Sequence, residues 1–257
     1  MKRFYAILNL VITVAVIAWN GLSNTGVIGG KTVGDVSDDL YNLFTPAGYA
    51  FSIWGLIFLT LLVNAIYQVR TAFKGDEIKQ GLVLTGPWLT LANIGNGAWI
   101  WFWLNEYTGV SVIIMIIILL ALLKTAFMLN IHRAPVSREL LVFGWWPISL
   151  YLGWISVALI ANVAAYLSFN GWADTVNEEL FTILMLIIAT VVNLFVLYTR
   201  SMRTFCWVGV WALSAIAYRS EIDSILYTAI SCAALLVILT IVHTVRHWRE
   251  DSVFATN

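Results

Sequence analysis

Long apolar runs with almost no charge recur along the whole chain, and this recurrence restricts its fold more than any other feature. Inside a bilayer no water is available to the backbone, so a spanning segment must satisfy its own hydrogen bonds. A helix of about 20 mostly apolar residues does so. Eight such segments can be read, roughly Phe4–Leu22, Ala47–Val69, Leu82–Leu104, Val110–Leu129, Leu141–Leu167, Leu180–Tyr198, Phe205–Tyr218 and Ile222–Val245. The expected fold class is all-α, a polytopic membrane helix bundle with eight transmembrane helices. Composition agrees: 61% of residues are apolar and 11% charged, with mean hydropathy +0.87, where a soluble domain carries about 25% charge. An ordinary soluble domain and a disordered chain are excluded. With zero net charge and no long basic run, so is a nucleic-acid partner. Cys206 and Cys232 both lie in apolar runs, which leaves no disulfide framework and no Cys-based metal site.

Lys2 and Arg3 precede the first run, as in a signal peptide. Asn9, Trp19 and Asn20 interrupt the pattern, however, and no small-residue cleavage site stands out, so the segment reads as a retained helix. Loop charge gives the orientation, because Lys and Arg stay on the cytoplasmic side. With the N-terminus inside, twelve of the fourteen basic residues fall inside, among them Lys2, Arg3, Arg70, Lys79, Arg133, Arg203 and Arg246, and only Lys31 and Arg219 fall outside. Nine of the fourteen acids gather outside, including Asp35, Asp38, Asp39, Glu106 and Glu178. This predicts a multi-pass protein of a bacterial inner membrane with both termini cytoplasmic. The first outer loop, about Ser23 to Thr45, is long and rich in Gly, Thr, Asp and Asn. Loops of that length are usually functional lids or mobile segments; a floppy periplasmic linker is the other reading, and the sequence leaves both open.

No Asp or Glu lies near the middle of a predicted span, and no deep Lys is present for a Schiff base. Ion coupling and hydrolysis both lack their usual groups, so a non-enzymatic protein is expected. What remains inside is amide and aromatic. Asn64, Asn93, Asn96, Asn162 and Asn193 fall within spans, where an amide ordinarily ties helices together. Trp88, Trp145, Trp146, Trp172 and Trp248 suit the membrane interface, whereas Trp54, Trp99 and Trp154 lie deeper. Deep Trp with Asn on several helices suits an aromatic-walled pocket for a flat apolar ligand carrying a few polar groups. Phe51, Trp54, Gly55 and Phe58 share one helix stripe; Tyr151, Trp154, Ala158 and Asn162 share another.

Three segments of the first 170 residues or so resemble the tryptophan-rich sensory protein family, also called the TspO or mitochondrial benzodiazepine receptor family. Pro46, Ala47, Gly48, Tyr49, Ala50 and Phe51 followed by Trp54 are similar to its Pro-Pro-Gly-Trp-x-Phe signature. Asn96, Trp99, Phe102 and Trp103 resemble its Asn-x-x-Trp and aromatic pair, and Tyr151, Trp154, Ala158 and Asn162 its last helix. The resemblance implies a five-helix bundle over residues 1–170, often a homodimer, with a ligand pocket under the first loop. Residues 171–257 then add three further helices and a short cytoplasmic tail. By the same resemblance Phe51, Trp54, Asn96, Trp99, Tyr151, Trp154, Ala158 and Asn162 would line or support the pocket. Its ligand would be porphyrin- or haem-like, with no cofactor or metal required. The expected partners are thus a hydrophobic small molecule and the lipid bilayer. The expected function is ligand binding for sensing or translocation; the alternative is a facilitator for a small neutral solute or lipid. Small residues in the last two spans, such as Gly209, Ala212, Ser214 and Ala215, suggest tight packing rather than a cavity.

Overall fold

A computed structural model describes residues 2–27, 29–74, 80–131 and 137–253. Lys79 and Arg133, counted above among the inner charges, lie outside the described residues. The described residues form helices and no strand. Eight of the helices are long: α1 (Lys2–Ser23), α2 (Ile53–Lys74), α3 (Gly86–Leu104), α4 (Thr108–Met128), α5 (Trp146–Phe169), α6 (Glu178–Arg200), α7 (Arg203–Arg219) and α8 (Asp223–Val253). Six helical stretches are long and apolar enough to cross a membrane: Lys2–Ser23, Gly48–Lys74, Thr108–Met128, Arg138–Phe169, Glu178–Arg200 and Asp223–Arg246. The other two predicted spans correspond to α3 and α7. In α3, Asn93, Asn96, three Gly and four Trp lower the hydropathy. With 17 residues, α7 is about 26 Å long at 1.5 Å per residue, short of a hydrocarbon core of about 30 Å.

The first five long helices close into a ring. α1 packs on α2 and α3, α3 on α4, α4 on α5, and α5 back on α2. The last three form a second group in which α6, α7 and α8 pack on one another, and α7 alone packs broadly against α5. Missing side chains set these crossings. A Cβ on Gly153 of α5 would lie 3.1 Å from Val208 Cβ and 3.2 Å from the Phe205 backbone, so α7 rests directly on α5 there. Gly209 does the same between α7 and α6, because its Cβ would come within 2.7 Å of the Asn193 amide carbon. Close approach of this kind replaces the hydrophobic effect as the source of helix cohesion in lipid.

At the end remote from the first loop, the ring is filled by amides. Asn9 Nδ2 donates to Gln68 Oε1 (3.3 Å), Gln68 Nε2 to Asn64 Oδ1 (3.0 Å), and Asn93 Nδ2 to Thr13 Oγ1 (3.0 Å) and Asn9 Oδ1 (3.4 Å). Asn64 Nδ2 donates to the Phe143 carbonyl (2.7 Å), within a wide π turn at Leu141–Trp145 that precedes α5. That turn also carries Trp145 into the bundle, where it is 3% exposed. The helix-tying role expected of Asn64 and Asn93 is met.

The long first loop is structured at its centre. Thr32 caps a short helix, Val33–Asp39, in a reciprocal box: Asp35 N donates to Thr32 Oγ1 (3.1 Å) and Thr32 N donates to Asp35 Oδ2 (2.8 Å). Downstream, Asn42 holds a tight turn, its Oδ1 accepting from Phe44 N (3.0 Å) while its own N–H donates to Thr45 Oγ1 (3.0 Å).

Candidate ligand cavity

The loop turn lies over the mouth of the five-helix ring, and beneath it is a cavity of about 650 Å³, mouth included. Its walls come from named turns of sequence. A 3-10 turn, Gly48–Ser52, leads into α2 and presents Phe51 and then Trp54. Trp54 stacks on Phe58 with ring centroids 5.2 Å apart and meets Trp154 edge-on at 6.3 Å; Phe51 also meets Trp154 edge-on at 6.2 Å. On α3, Trp99 and Trp103 are one turn apart and stack at 5.6 Å. α5 adds Trp154, Ala158 and Asn162 at successive four-residue steps, and Ala161 and Ala165 on either side of Asn162 keep the wall thin.

Hydrogen bonds fix two of these rings, Trp99 and Trp103. Trp99 Nε1 donates to Asn162 Oδ1 (2.9 Å), Asn162 Nδ2 donates to Ser111 Oγ (2.8 Å), and Ser111 Oγ donates to the Thr108 carbonyl (2.7 Å). Trp103 Nε1 donates to the Val33 carbonyl (3.1 Å), joining α3 to the loop helix. Trp154 differs. It is 3% exposed, it lines the cavity, and its indole N–H has no partner among the described residues. A buried donor without an acceptor is costly, about 1–3 kcal/mol, and a ligand oxygen or nitrogen would relieve it.

Six of the eight residues singled out in the sequence therefore meet at one cavity: Phe51, Trp54, Trp99, Trp154, Ala158 and Asn162. Two do not line it. Tyr151 is fully buried behind Trp54 (5.9 Å, edge-on), and its hydroxyl donates to the Ala92 carbonyl (3.2 Å). Asn96 is 1% exposed on the Trp99 stripe, one turn earlier, and both its amide atoms lack a partner among the described residues.

Other lining residues were not singled out as site residues. Leu40, Asn42 and Phe44 come from the loop, Trp103 from α3 and Met115 from α4. Trp103 follows Trp99 by four residues and was detectable by spacing. Ala212 and Ile216 come from α7, which departs from the expectation that small residues of the last helices would only pack. α7 also holds the loop. Ala47 N donates to the Ala215 carbonyl (3.0 Å) and Trp211 Nε1 to the Ala50 carbonyl (3.1 Å). Arg219 pairs with Asp38, reaches the Pro46 carbonyl (3.3 Å) and lies 4.8 Å above the Tyr41 ring.

A second set of ties surrounds the loop. Lys31 Nζ lies 2.8 Å from both Asp39 and Glu106, and these two hydrogen-bonded carboxylates, Asp39 first, raise its pKa. Leu43 N donates to Glu178 Oε1 (2.9 Å). The Thr32 backbone N–H, and next its hydroxyl, hold the Asp35 carboxyl below its ordinary range. Of the two readings left open, the loop has the contacts of a lid.

A polytopic helical membrane protein with a loop-covered aromatic cavity is the class that this fold and site define. A family model described as TSPO-like protein matches residues 6–242. The chain belongs to the TSPO-like family, and the match takes in the last three helices as well as the ring. No curated protein and no solved structure matches the chain. Family and architecture together make it a multi-pass membrane protein of sensory or transport type.

Proposed function

We propose that the chain binds a flat apolar ligand of tetrapyrrole or porphyrin-like shape in the aromatic cavity, for sensing or translocation and without catalysis. The observation that carries this is the cavity walled by Phe44, Phe51, Trp54, Trp99, Trp103 and Trp154, with the buried, unpartnered Trp154 indole N–H in that wall. Aromatic faces favour a flat ligand, and one donor fixes its orientation. Among the described residues no His, Cys, Asp, Glu, Lys or Arg lines the cavity, so the Ser37 and Thr45 hydroxyls in its wall have no general base beside them there. Phe51, Trp54, Trp99, Trp154, Ala158 and Asn162 are the contact residues in this proposal, with Tyr151 and Asn96 behind them as support. The cavity lining includes none of Asn9, Asn64, Gln68 or Asn93, so the amide-filled end supports binding in a closed pocket over free passage of a solute.

A bacterial inner membrane with both termini cytoplasmic remains the proposed setting, resting on the distribution of loop charge, and a homodimer the proposed assembly, resting on the family resemblance. Porphyrin titration of the purified protein, followed by Trp fluorescence, tests the function. Saturable quenching that disappears in Ala158→Trp supports it. Linear quenching identical in both proteins would overturn it.

A further inference from the structure

We propose that the chain has a second binding site, between α5 and α6, that takes a small organic ammonium ion carrying an apolar body. It stands independently of the porphyrin reading. Three observations carry it.

First, a second space lies beside the aromatic one. It is a cavity of about 270 Å³, mouth included, walled by Ala164 and Leu167 of α5 and by Phe181 and Met185 of α6. Asn42 of the loop lines both cavities and divides them, and on α5 the neighbouring Ala165 and Ala164 line one each. Drug-sized ligands occupy about 300–1,000 Å³ in mostly apolar walls, so this space suits a smaller molecule with an apolar body. Second, the wall carries an unmet hydroxyl. Thr182 lines this cavity, is 1% exposed, and its Oγ1 has no partner among the described residues. A buried hydroxyl left unpaired is unfavourable, and a ligand N–H would satisfy it. Third, the polar edge is anionic and aromatic. Glu178 and Trp172 also line the cavity. Glu178 Oε1 accepts from Leu43 N (2.9 Å), and the described residues place no cation against this carboxylate, since Lys31 is held by Asp39 and Glu106 and Arg219 by Asp38. Trp172 meets Phe181 edge-on at 4.6 Å, so rings and a carboxylate border the same space. An ammonium ion is attracted by both. Glu178 and Thr182 are one turn apart on α6, close enough to engage the N–H groups of a single ammonium.

The test uses para-fluorophenethylamine, which is protonated at neutral pH, and para-fluorophenethyl alcohol, its uncharged counterpart. Each is titrated into the full chain in an uncharged detergent and followed by fluorine NMR, with empty micelles as the reference. The amine should bind saturably at about millimolar concentration, as expected of a ligand of about ten non-hydrogen atoms. It should bind at least about fivefold tighter than the alcohol. Glu178→Gln keeps the acceptor for Leu43 N and removes the charge. It should weaken the amine by about tenfold and leave the alcohol unchanged. Thr182→Val should weaken both by a few-fold. Ala158→Trp, which fills the aromatic cavity, should leave amine binding as it was. Competition by short-chain phosphatidylethanolamine, but not by phosphatidylglycerol, would identify the ammonium as that of a lipid headgroup; absence of competition would identify a soluble amine. Amine binding that never saturates, or equal affinity for amine and alcohol in the parent protein, would overturn the proposal without any variant having to fold. So would amine binding that is unchanged in Glu178→Gln, or that disappears in Ala158→Trp, since the amine would then occupy the aromatic cavity. Failure of porphyrin to bind would leave this site untouched.

Discussion

The two ends of the five-helix ring are built from different chemistry, and the contrast explains why one is open and the other closed. At the loop end the facing side chains are large rings: Trp54, Trp99, Trp103 and Trp154. Two of these, Trp99 and Trp103, are held off the axis by bonds to Asn162 and to the Val33 carbonyl. Rigid rings held apart cannot collapse onto each other, and alanines at 158, 161 and 165 do not fill the remaining space. At the opposite end Asn9, Asn64, Gln68 and Asn93 reach across three helices and join one another. Short polar side chains that find partners draw the helices in, because an unmet amide in lipid costs more than the loss of its freedom. Asn96 lies between the two regimes, one turn from Trp99 and three residues from Asn93, with no partner among the described residues.

The largest expected effect comes from filling the open end. Ala158→Trp should weaken porphyrin binding by about 30-fold or more, the scale of a buried hot spot of roughly 2 kcal/mol. Its thermal unfolding midpoint in detergent should match or exceed that of the parent, since the added ring occupies space already empty. Loss of binding together with a large loss of stability would mean that no usable space exists beside Ala158.

At the closed end the expected effect is on stability alone. Gln68→Leu leaves Asn9 Nδ2 and Asn64 Oδ1 without their partners. It should destabilise by about 1–3 kcal/mol, read as a lower unfolding midpoint, with porphyrin affinity unchanged. A parallel loss of affinity would show that the ends are coupled and that the contrast is wrong.

Trp154→Phe and Trp99→Phe sharpen the comparison within the open end. Both remove one indole N–H. In Trp154 that group has no protein partner, so its removal should leave stability unaltered and weaken a ligand with an acceptor by about 2- to 10-fold, the value of one net hydrogen bond. In Trp99 it is bonded to Asn162, which is 2% exposed. Removal strands that oxygen, and the unfolding midpoint should fall. If the two variants behaved alike, the distinction between a structural and a ligand-facing Trp would fail.

Much of this was legible in the sequence, because lipid imposes a one-dimensional rule. The run Leu180–Tyr198 predicts a helix that the structure extends only to Glu178–Arg200, and Phe205–Tyr218 becomes Arg203–Arg219. The cavity was legible where its residues are conspicuous: deep Trp at helical spacing, with Asn162 on the same stripe as Trp154. The part played by α7 was not. Ala212 and Ile216 look the same in a sequence whether they face lipid, a helix or a cavity, and nothing local indicates that Ala215 receives the backbone N–H of Ala47, 168 positions earlier. Tyr151 shows the opposite case, a residue behind the wall whose spacing matches those in it. It shares the stripe of Trp154, but its hydroxyl is drawn to the Ala92 carbonyl, away from the cavity.

The smallest expected effect is a difference in response to pH. The loop end is held by ionised groups and the far end by amides that do not titrate. Asp35 has its pKa lowered by the Thr32 cap, so its contribution is complete above its ordinary value of 3.8 and is lost as pH falls through the lowered one. Lys31 is raised by Asp39 and Glu106, so its contribution is complete below its ordinary value of 10.5 and is lost only as pH rises beyond it. Between about pH 5 and 9 both contributions are intact, and the dissociation rate of a neutral porphyrin ester should be flat. As pH falls through the lowered value of Asp35, the Thr32 cap is lost and the rate should rise by a few-fold. Gln68→Leu should shift the unfolding midpoint by the same amount at pH 4 and pH 7, because the bonds it removes carry no proton that titrates in that range. Stopped-flow dissociation and unfolding scans at matched pH check both. A dissociation rate that stays flat as Asp35 is protonated would mean that the loop is held by its apolar and backbone contacts to α7, with the Thr32 cap contributing nothing to its closure.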